Sequence, residues 1–400
     1  MADSSIACGP ASQPNAGFET RVIGPAYFML AIVAGLAGAG IGGQGTELGS
    51  SAIARHGVMM TFFVIIPSLL GGLGNGLLPS RLRTDGMALR GLNVAGLLLF
   101  ALGLLAILGA GFAGAQASAL VAAGLGVGCV AMISLAIVLI ASILDGRRSG
   151  VAMDTLTWSQ LFGASALIAV VPLVGAALTR AAFGTSGPLA SVLSAMPLPA
   201  ATIALAPACG IVADVLEVDL TGKRLRICLV SALGIMSIGA AVVWDRLMVV
   251  HMDWPASLTV ALQAIPAVVA VGAALVGSWR HLKHASLPLA WICGVVVLLS
   301  AGWLVGNADA RHSAMAFGLI FAAFAGLYRW LGLSGRDVGP MAWPHCVLTA
   351  VGTVATLMPT ILPEPIGGAA MSAALVCLVP MVLRAFTGPA PELAHVGAAS

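Results

Sequence analysis

Twelve apolar stretches follow one another with only short polar linkers between them, and this succession leaves little freedom in what the chain can become. A helix needs about 20 predominantly apolar residues to cross a bilayer. The stretches run 23–43, 56–78, 91–113, 118–142, 157–179, 189–213, 227–250, 257–278, 286–306, 311–332, 344–362 and 367–386. Hydrophobic types make up 60% of the 400 residues and charged types only 8%, where a soluble domain carries roughly 25% charged residues. No soluble fold of this size could hide so much apolar surface, so the bilayer is the expected solvent. The expected fold is an all-α integral membrane bundle of twelve transmembrane helices, with consecutive helices antiparallel. Residues 1–21 read as a polar N-terminal tail, 22–390 as one twelve-helix membrane domain and 391–400 as a C-terminal tail. The N-terminal residues lack a basic region followed by an apolar core and do not read as a cleaved signal peptide.

Lysine and arginine set the expected orientation. With the N-terminus in the cytoplasm, the inner loops hold Arg21, Arg81, Arg83, Arg90, Arg147, Arg148, Lys223, Arg224, Arg226, Arg280, Lys283, Arg329, Arg336 and Arg384. Only Arg55, Arg180, Arg246 and Arg311 fall outside. This split supports an even number of spans with both termini cytoplasmic, in a bacterial-type inner membrane. No basic tract suits nucleic acid. Of the seven cysteines, all but Cys8 lie in or beside apolar spans and none forms a CxxC pair, so they read as small hydrophobic residues.

Histidine is costly in a membrane span and is a functional candidate there. His281, His284, His395 and His251 fall in loops, the tail or a helix end, which leaves His56, His312 and His345. His56 opens the second span and His312 the tenth. Both spans run from outside to inside, so the two imidazoles are expected at similar depth in the outer half of the membrane. As neighbours they could hold one haem iron from opposite sides; otherwise they are two interfacial histidines with unrelated roles.

The stretch from His56 to Pro79, HGVMMTFFVIIPSLLGGLGNGLLP, resembles without a gap the second-helix signature of subunit I of the haem-copper oxidases, the cytochrome c oxidase family. His56, Gly57, Pro67, Gly71, Gly72, Gly74, Asn75 and Pro79 carry the match. Weaker matches follow in collinear order, from Ile23-Gly24 and Tyr27 through Met87-Ala88, Asn93, Trp158-Ser159, Pro199, Pro207, Trp244 and Trp330 to His345, Gly352 and Pro359. The resemblance covers about residues 22–390 and implies a twelve-helix fold like that of subunit I. It also implies that His56 and His312 are the axial ligands of the low-spin haem. Where the family holds its high-spin haem, this chain has Ala310. Where the family binds copper, it has Leu198, Arg246 and Leu247, with Asp245 beside Arg246, and Thr202 replaces the cross-linked tyrosine. Leucine cannot ligate copper, and a permanent guanidinium cation does not substitute as a ligand. The family's proton-path lysine falls on Ala270.

These departures imply a degenerate member: one low-spin bis-histidine haem of a or b type, no copper, and no oxygen reduction by the chain itself. The implied role is electron transfer inside a respiratory-type complex, with other membrane subunits as partners and a periplasmic cytochrome or cupredoxin as donor. A cofactor-free structural or assembly subunit and a working terminal oxidase are the alternatives. The arginine pair that binds haem propionates in the family is absent from 363–368, and the family arginine that contacts the low-spin haem edge is replaced around Gln44 and Gly45. Arg55 and Arg311, each one residue before a proposed ligand, either compensate or are ordinary boundary arginines reaching for the interface. Other residues get plainer expectations. Met59, Met60 and Met315 read as packing, His345 as an interfacial hydrogen-bonded residue, and Asp214, Glu217 and Asp219 as solvated.

Overall fold

The computed structural model describes residues 17–42, 56–147, 152–183, 192, 197–218, 222–244, 255–278, 286–304, 308–333 and 339–387. Every regular element among them is helical. Twelve helices result, one in each expected stretch: α1 Gly24–Gly42 with a leading π-turn Glu19–Ile23, α2 His56–Leu82, α3 Arg90–Gly109, α4 Ala117–Gly146, α5 Thr155–Ala182, α6 Pro197–Val215, α7 Lys223–Trp244, α8 256–278, α9 Leu287–Leu304, α10 Ala308–Leu333, α11 Ala342–Leu357 and α12 Glu364–Thr387. Among the described residues ten helices are long and apolar enough to cross a membrane, and two shorter apolar ones, Thr202–Val215 and Ala342–Leu357, complete the set. The protein is an all-α membrane bundle.

The helix edges depart from the sequence reading for local reasons. The first helix begins at Glu19 and not at 23. Glu19 and Thr20 are buried there, held by an ion pair from Arg90 to Glu19 at 3.4 Å and by the Thr20 hydroxyl donating to the Asn75 carbonyl at 3.4 Å. α11 stops at Leu357, short of 362, because Met358 precedes Pro359 and a residue before proline is pushed out of the helical region; its φ is −132°. The end expected for the seventh span, 245–250, lies outside the described residues.

α2 stands at the centre, with 94% of its most apolar window buried, and α10 follows with 83%. A helix apolar on all sides belongs in such an interior position. Pro67 brings no N–H and crowds the carbonyl one turn back. On either side of it the backbone widens into π-helical turns, Met60–Ile65 and Pro67–Gly72. The glycines that follow are seats for neighbouring rings. A Cβ on Gly71 would meet the Tyr27 ring at 2.7 Å, one on Gly72 the Phe28 ring at 2.5 Å, and one on Gly76 the Trp330 indole at 3.0 Å. Gly74 faces Leu139 and Gln160. α3 and α4 approach most closely where Gly103 and Gly124 face each other's carbonyls at 2.7 Å from an added Cβ, the close backbone contact that small residues permit.

Buried polar groups tie α2 to its neighbours. Asn93 donates to the Asn75 side chain at 2.6 Å, Asn75 donates to the Gly71 carbonyl, and Gln160 donates to the Leu69 carbonyl at 2.9 Å. At the far end of α2, Arg81 pairs with Asp214 at 2.7 Å, and Arg329 reaches Asp214 at 3.9 Å and Glu217 at 2.7 Å. This corrects the expectation of solvated carboxylates: the Asp214 side chain is 8% exposed and paired, and Glu217 is exposed but paired. Asp219 lies outside the described residues. His345, expected at an interface, is fully buried, with its Nδ1 2.9 Å from the Tyr328 hydroxyl. The cysteines divide: Cys129 and Cys209 are buried, Cys346 and Cys377 half-buried, and Cys228 and Cys293 exposed on apolar helices.

Candidate functional site

His56 occupies the first turn of α2, half-buried against α1. Its Nδ1 lies 2.7 Å from the carbonyl oxygen of Gly38. A carbonyl only accepts, so Nδ1 carries the proton and donates it. In the neutral ring the lone pair then sits on Nε2, the nitrogen free to ligate a metal, and the carbonyl fixes the ring's orientation. Gly38 allows this because it has no side chain: a Cβ there would fall 2.7 Å from Met60 Sδ and 3.8 Å from His56 Nδ1.

The register of α2 against α10 places His312. Gly76 sits on Trp330, and Leu73 reaches Gly326, so numbers rise together along the two helices and they run parallel. His56 lies 20 residues before Gly76, and His312 lies 18 before Trp330. At about 1.5 Å per residue these are about 30 and about 27 Å from the shared contact, within one helical turn of each other. The π turns of α2, with more residues per turn, narrow the difference. By this register the two histidines stand within about one helical turn of the same height on adjacent helices. His312 is half-buried.

A small apolar slot lies deeper along the same helices, and neither histidine lines it. From α1 come Phe28, Ile32 and Gly35; from α2 Met60, Val64 and Ser68; from α10 Ile320, Ala323 and Phe324; from α12 Met371, Leu375 and Leu378. None of the lining residues is charged. The slot belongs to the histidine faces. Met60, Val64 and Ser68 continue from His56 in steps of four, and Ile320 and Ala323 lie eight and eleven residues beyond His312, spacings that keep one helical face. Its free volume is ≈ 30 Å³, the room of about one water. A macrocycle would need the lining to give way, and what closes the slot is the ends of flexible side chains. Met60 lies against Gly38, Leu375 against Gly35 and Met371 against Gly352, at 2.6–2.9 Å from an added Cβ. Thioether and leucine ends turn aside where backbone would not. Two imidazoles at similar height and one oriented Nε2 are a donor set that suits a haem iron, and a macrocycle between them would have to push these side-chain ends aside.

Arg311 is half-buried beside His312, whereas Arg55 lies outside the described residues. At the other expected positions Ala310 is half-buried, Thr202 and Ala270 are buried, and Asp245, Arg246 and Leu247 lie outside the described residues, as does the side chain of Leu198. Trp244 is buried with its edge toward Phe62, ring centroids 6.0 Å apart. Among the described residues no group of three or more His, Cys, Asp or Glu side chains stands close enough to hold a metal ion; a haem iron asks its protein for two ligands.

Two features had no clear sequence signal. One is the Gly38 carbonyl, since a backbone acceptor has no side chain to betray it. The other is the aromatic floor beneath the slot. Phe324, which lines the slot, meets His345 edge-on at 4.5 Å, and Trp291 packs 5.1 Å from both rings. Tyr328 stacks on His345 at 5.9 Å and lies within 3.7 Å of Met381 Sδ. Four consecutive helices, α9 to α12, meet there. The scarcity of tyrosine, with Tyr27 and Tyr328 the only two in the chain, was the one available hint.

No protein-family model matches the chain. It is 25% identical over 383 residues to cytochrome c oxidase subunit 1 of Cereibacter sphaeroides, an alignment that covers 77% of this chain. The chain spans 66% of that relative's length. The bundle and the second-helix motif therefore stand beside a distant similarity to a cytochrome c oxidase subunit 1.

Proposed function

We propose that this protein holds one low-spin haem between His56 and His312 and passes single electrons within a membrane complex, without reducing oxygen itself. The observation that carries the reading is the pair of histidines at similar height on parallel, adjacent helices, with one ring already oriented by the Gly38 carbonyl. The similarity to a cytochrome c oxidase subunit supports haem as the group. A bis-imidazole haem supplies one-electron exchange at an iron with no open position. The chain's own part is to present two nitrogens, exclude water with the apolar walls and keep both rings fixed. Arg311, on the first turns of α10, and Arg55, one residue before His56, are assigned the role of meeting the anionic edge of the group. The partners are other membrane subunits of a respiratory-type complex and a periplasmic cytochrome or cupredoxin donor. The setting is an inner membrane with both termini cytoplasmic.

The test is a dithionite-reduced minus oxidised visible spectrum of the detergent-purified chain, with and without carbon monoxide. The expected result is a sharp low-spin α-band that carbon monoxide leaves unchanged and that His56→Ala or His312→Ala abolishes. A carbon-monoxide-sensitive haem would return the protein to the oxidases. A chain free of haem when made with ample supply would leave the cofactor-free scaffold, a reading favoured by the lack of arginine in 363–368.

A further inference from the structure

We infer that a cleft at the arginine-rich end of the bundle binds the headgroup of a zwitterionic amine lipid, its ammonium on the cleft's carboxylates and its phosphate on Arg90. The cleft has a free volume of ≈ 320 Å³, against ≈ 30 Å³ for the apolar slot. Glu19 comes to it from the turn leading into α1, Asp85 from the α2–α3 loop, Arg90 from the start of α3, and Ser142 and Asp145 from the last turns of α4.

The uncharged polar groups of its walls are already engaged. The Thr84 hydroxyl donates to the Gly86 carbonyl at 2.9 Å. The Ser142 hydroxyl donates to the Val138 carbonyl at 2.6 Å and accepts the Ala88 N–H at 2.9 Å. The charged groups are less well met. Glu19 is 2% exposed, yet among the described residues its carboxylate meets only the Arg90 Nε, 3.4 Å from Oε1. Its other oxygen, Oε2, lies against two glycines, 3.1 Å from a Cβ added to Gly17 and 2.5 Å from one added to Gly86. A carboxylate accepts hydrogen bonds at about four positions, and a buried charge needs them filled. Asp85 and Asp145, both exposed, have no ion-pair partner among the described residues. Arg90 lies over the Phe18 ring, 4.7 Å from its centroid, and turns its Nε to Glu19. Its two terminal nitrogens are then available to an anion.

The cleft thus presents open sites of both signs, and a ligand that carries both charges side by side satisfies both. A primary ammonium has three donors and serves several oxygens at once, and arginine meets a phosphate through paired N–H groups. Among the described residues no three acids stand close enough to share a metal ion. The surroundings favour a lipid as the source. Phe18, which lines the cleft, is 38% exposed, and Leu89 and Leu144, next to Arg90 and Asp145 in the chain, are 52% and 48% exposed. In a bilayer acyl chains cover such side chains, which brings a headgroup to the level of the carboxylates. A basic side chain of a soluble partner would meet the same charges but leave this apolar rim uncovered.

The experiment uses the full chain, delipidated in detergent and titrated with short-chain phosphatidylethanolamine, with retained lipid counted by native mass spectrometry and folding read from the thermal melt. Phosphatidylethanolamine is expected to be held about tenfold tighter than phosphatidylcholine, whose methylated ammonium cannot donate, or phosphatidylglycerol, which has no ammonium. Glu19→Gln and Arg90→Gln are each expected to remove that preference. Should they fail to fold, Asp85→Asn combined with Asp145→Asn, both at exposed positions, is expected to weaken retention about tenfold with an unchanged lipid-free melt. Equal retention of the three lipids by the parent chain overturns the inference, as does a parent-like preference in the folded double variant. Equal affinity for O-phosphoethanolamine, which has no acyl chains, would make the ligand a soluble amine. Binding of a lysine-rich peptide in preference to the lipid would make it a partner protein. Either result overturns the lipid assignment, and none of these outcomes touches the haem reading.

Discussion

At the scale of single residues, the buried amides of α2 and α3 decide more than their number suggests. Asn75 and Asn93 are at most 1% exposed, and their side chains meet at 2.6 Å. Replacing Asn93 with leucine leaves the Asn75 side-chain oxygen without that donor. A buried group left unpaired costs about 1–3 kcal/mol, but interhelical hydrogen bonds within membranes average about 0.6 kcal/mol, because the unfolded chain also finds partners. The lower range wins here. Asn93→Leu is expected to destabilise the detergent-solubilised protein by about 1 kcal/mol, read from its denaturation midpoint, whereas Asn93→Gln recovers part of that. Both asparagines stand out in the sequence as polar residues inside apolar spans. What the sequence does not reveal is that they are partners. Nor does it reveal that His56 leans on a backbone carbonyl, because the contact is set by how α1 and α2 cross and not by any residue type. Asp214 shows the opposite failure. Its place next to a polar linker reads as solvated, yet the bundle folds two arginines over it.

At the scale of elements, α2 shows how packing uses its glycines. Gly72 faces the Phe28 ring at 2.5 Å from an added Cβ, and an aromatic ring wedged between helices cannot retreat as a flexible chain end can. Gly126 on α4 meets nothing within 4 Å. Overpacking a tight contact costs about 1–3 kcal/mol, and relieving glycine's entropy in an open helix position returns about 0.5–1 kcal/mol. The two substitutions therefore differ in sign. Gly72→Ala lowers the melting temperature in detergent, and Gly126→Ala leaves it unchanged or raises it. A loss at both positions would mean that glycine in these helices serves general flexibility and not specific seats. The twelve helices themselves were legible in the apolar stretches. Their edges were less so, since Glu19 and Thr20 are drawn into α1 by contacts to Arg90 and Asn75, partners that lie far along the chain.

At the scale of the whole molecule, one charged cluster holds α2, α6 and α10 together at the end away from the histidines. Arg81, Asp214, Arg329 and Glu217 form it. Because α2 and α10 carry the proposed ligands at their opposite ends, loss of this cluster is expected to loosen the register of His56 against His312. Breaking a fully buried pair costs about 3–5 kcal/mol. The two arginines keep 20% and 23% exposure, so water screens part of the loss, and Asp214→Asn is expected to cost about 2 kcal/mol. If the cluster governs register, the same substitution broadens the low-spin haem band as well as lowering stability.

The orientation of the molecule rests on charge asymmetry, and the helix ends offer a direct check of it. Asp85 lies exposed between α2 and α3, on the side rich in arginine, whereas Gly114 lies between α3 and α4 on the opposite side, in a left-handed turn with φ of 52°. In a cysteine-free background, Gly114→Cys is expected to react with a membrane-impermeant maleimide on cells whose outer face is accessible. Asp85→Cys is expected to react only after the membrane is broken. The turn at Gly114 disfavours a side chain, but nothing lies within 4 Å of one, so the strain is local and the helices stay seated. The positive-inside bias predicts this pattern because arginine-rich loops resist translocation. Labelling of Asp85→Cys in intact cells, with Gly114→Cys protected, would invert the molecule. It would then place the histidine end on the cytoplasmic side, out of reach of any periplasmic donor, and the proposed direction of electron entry would have to be abandoned with it.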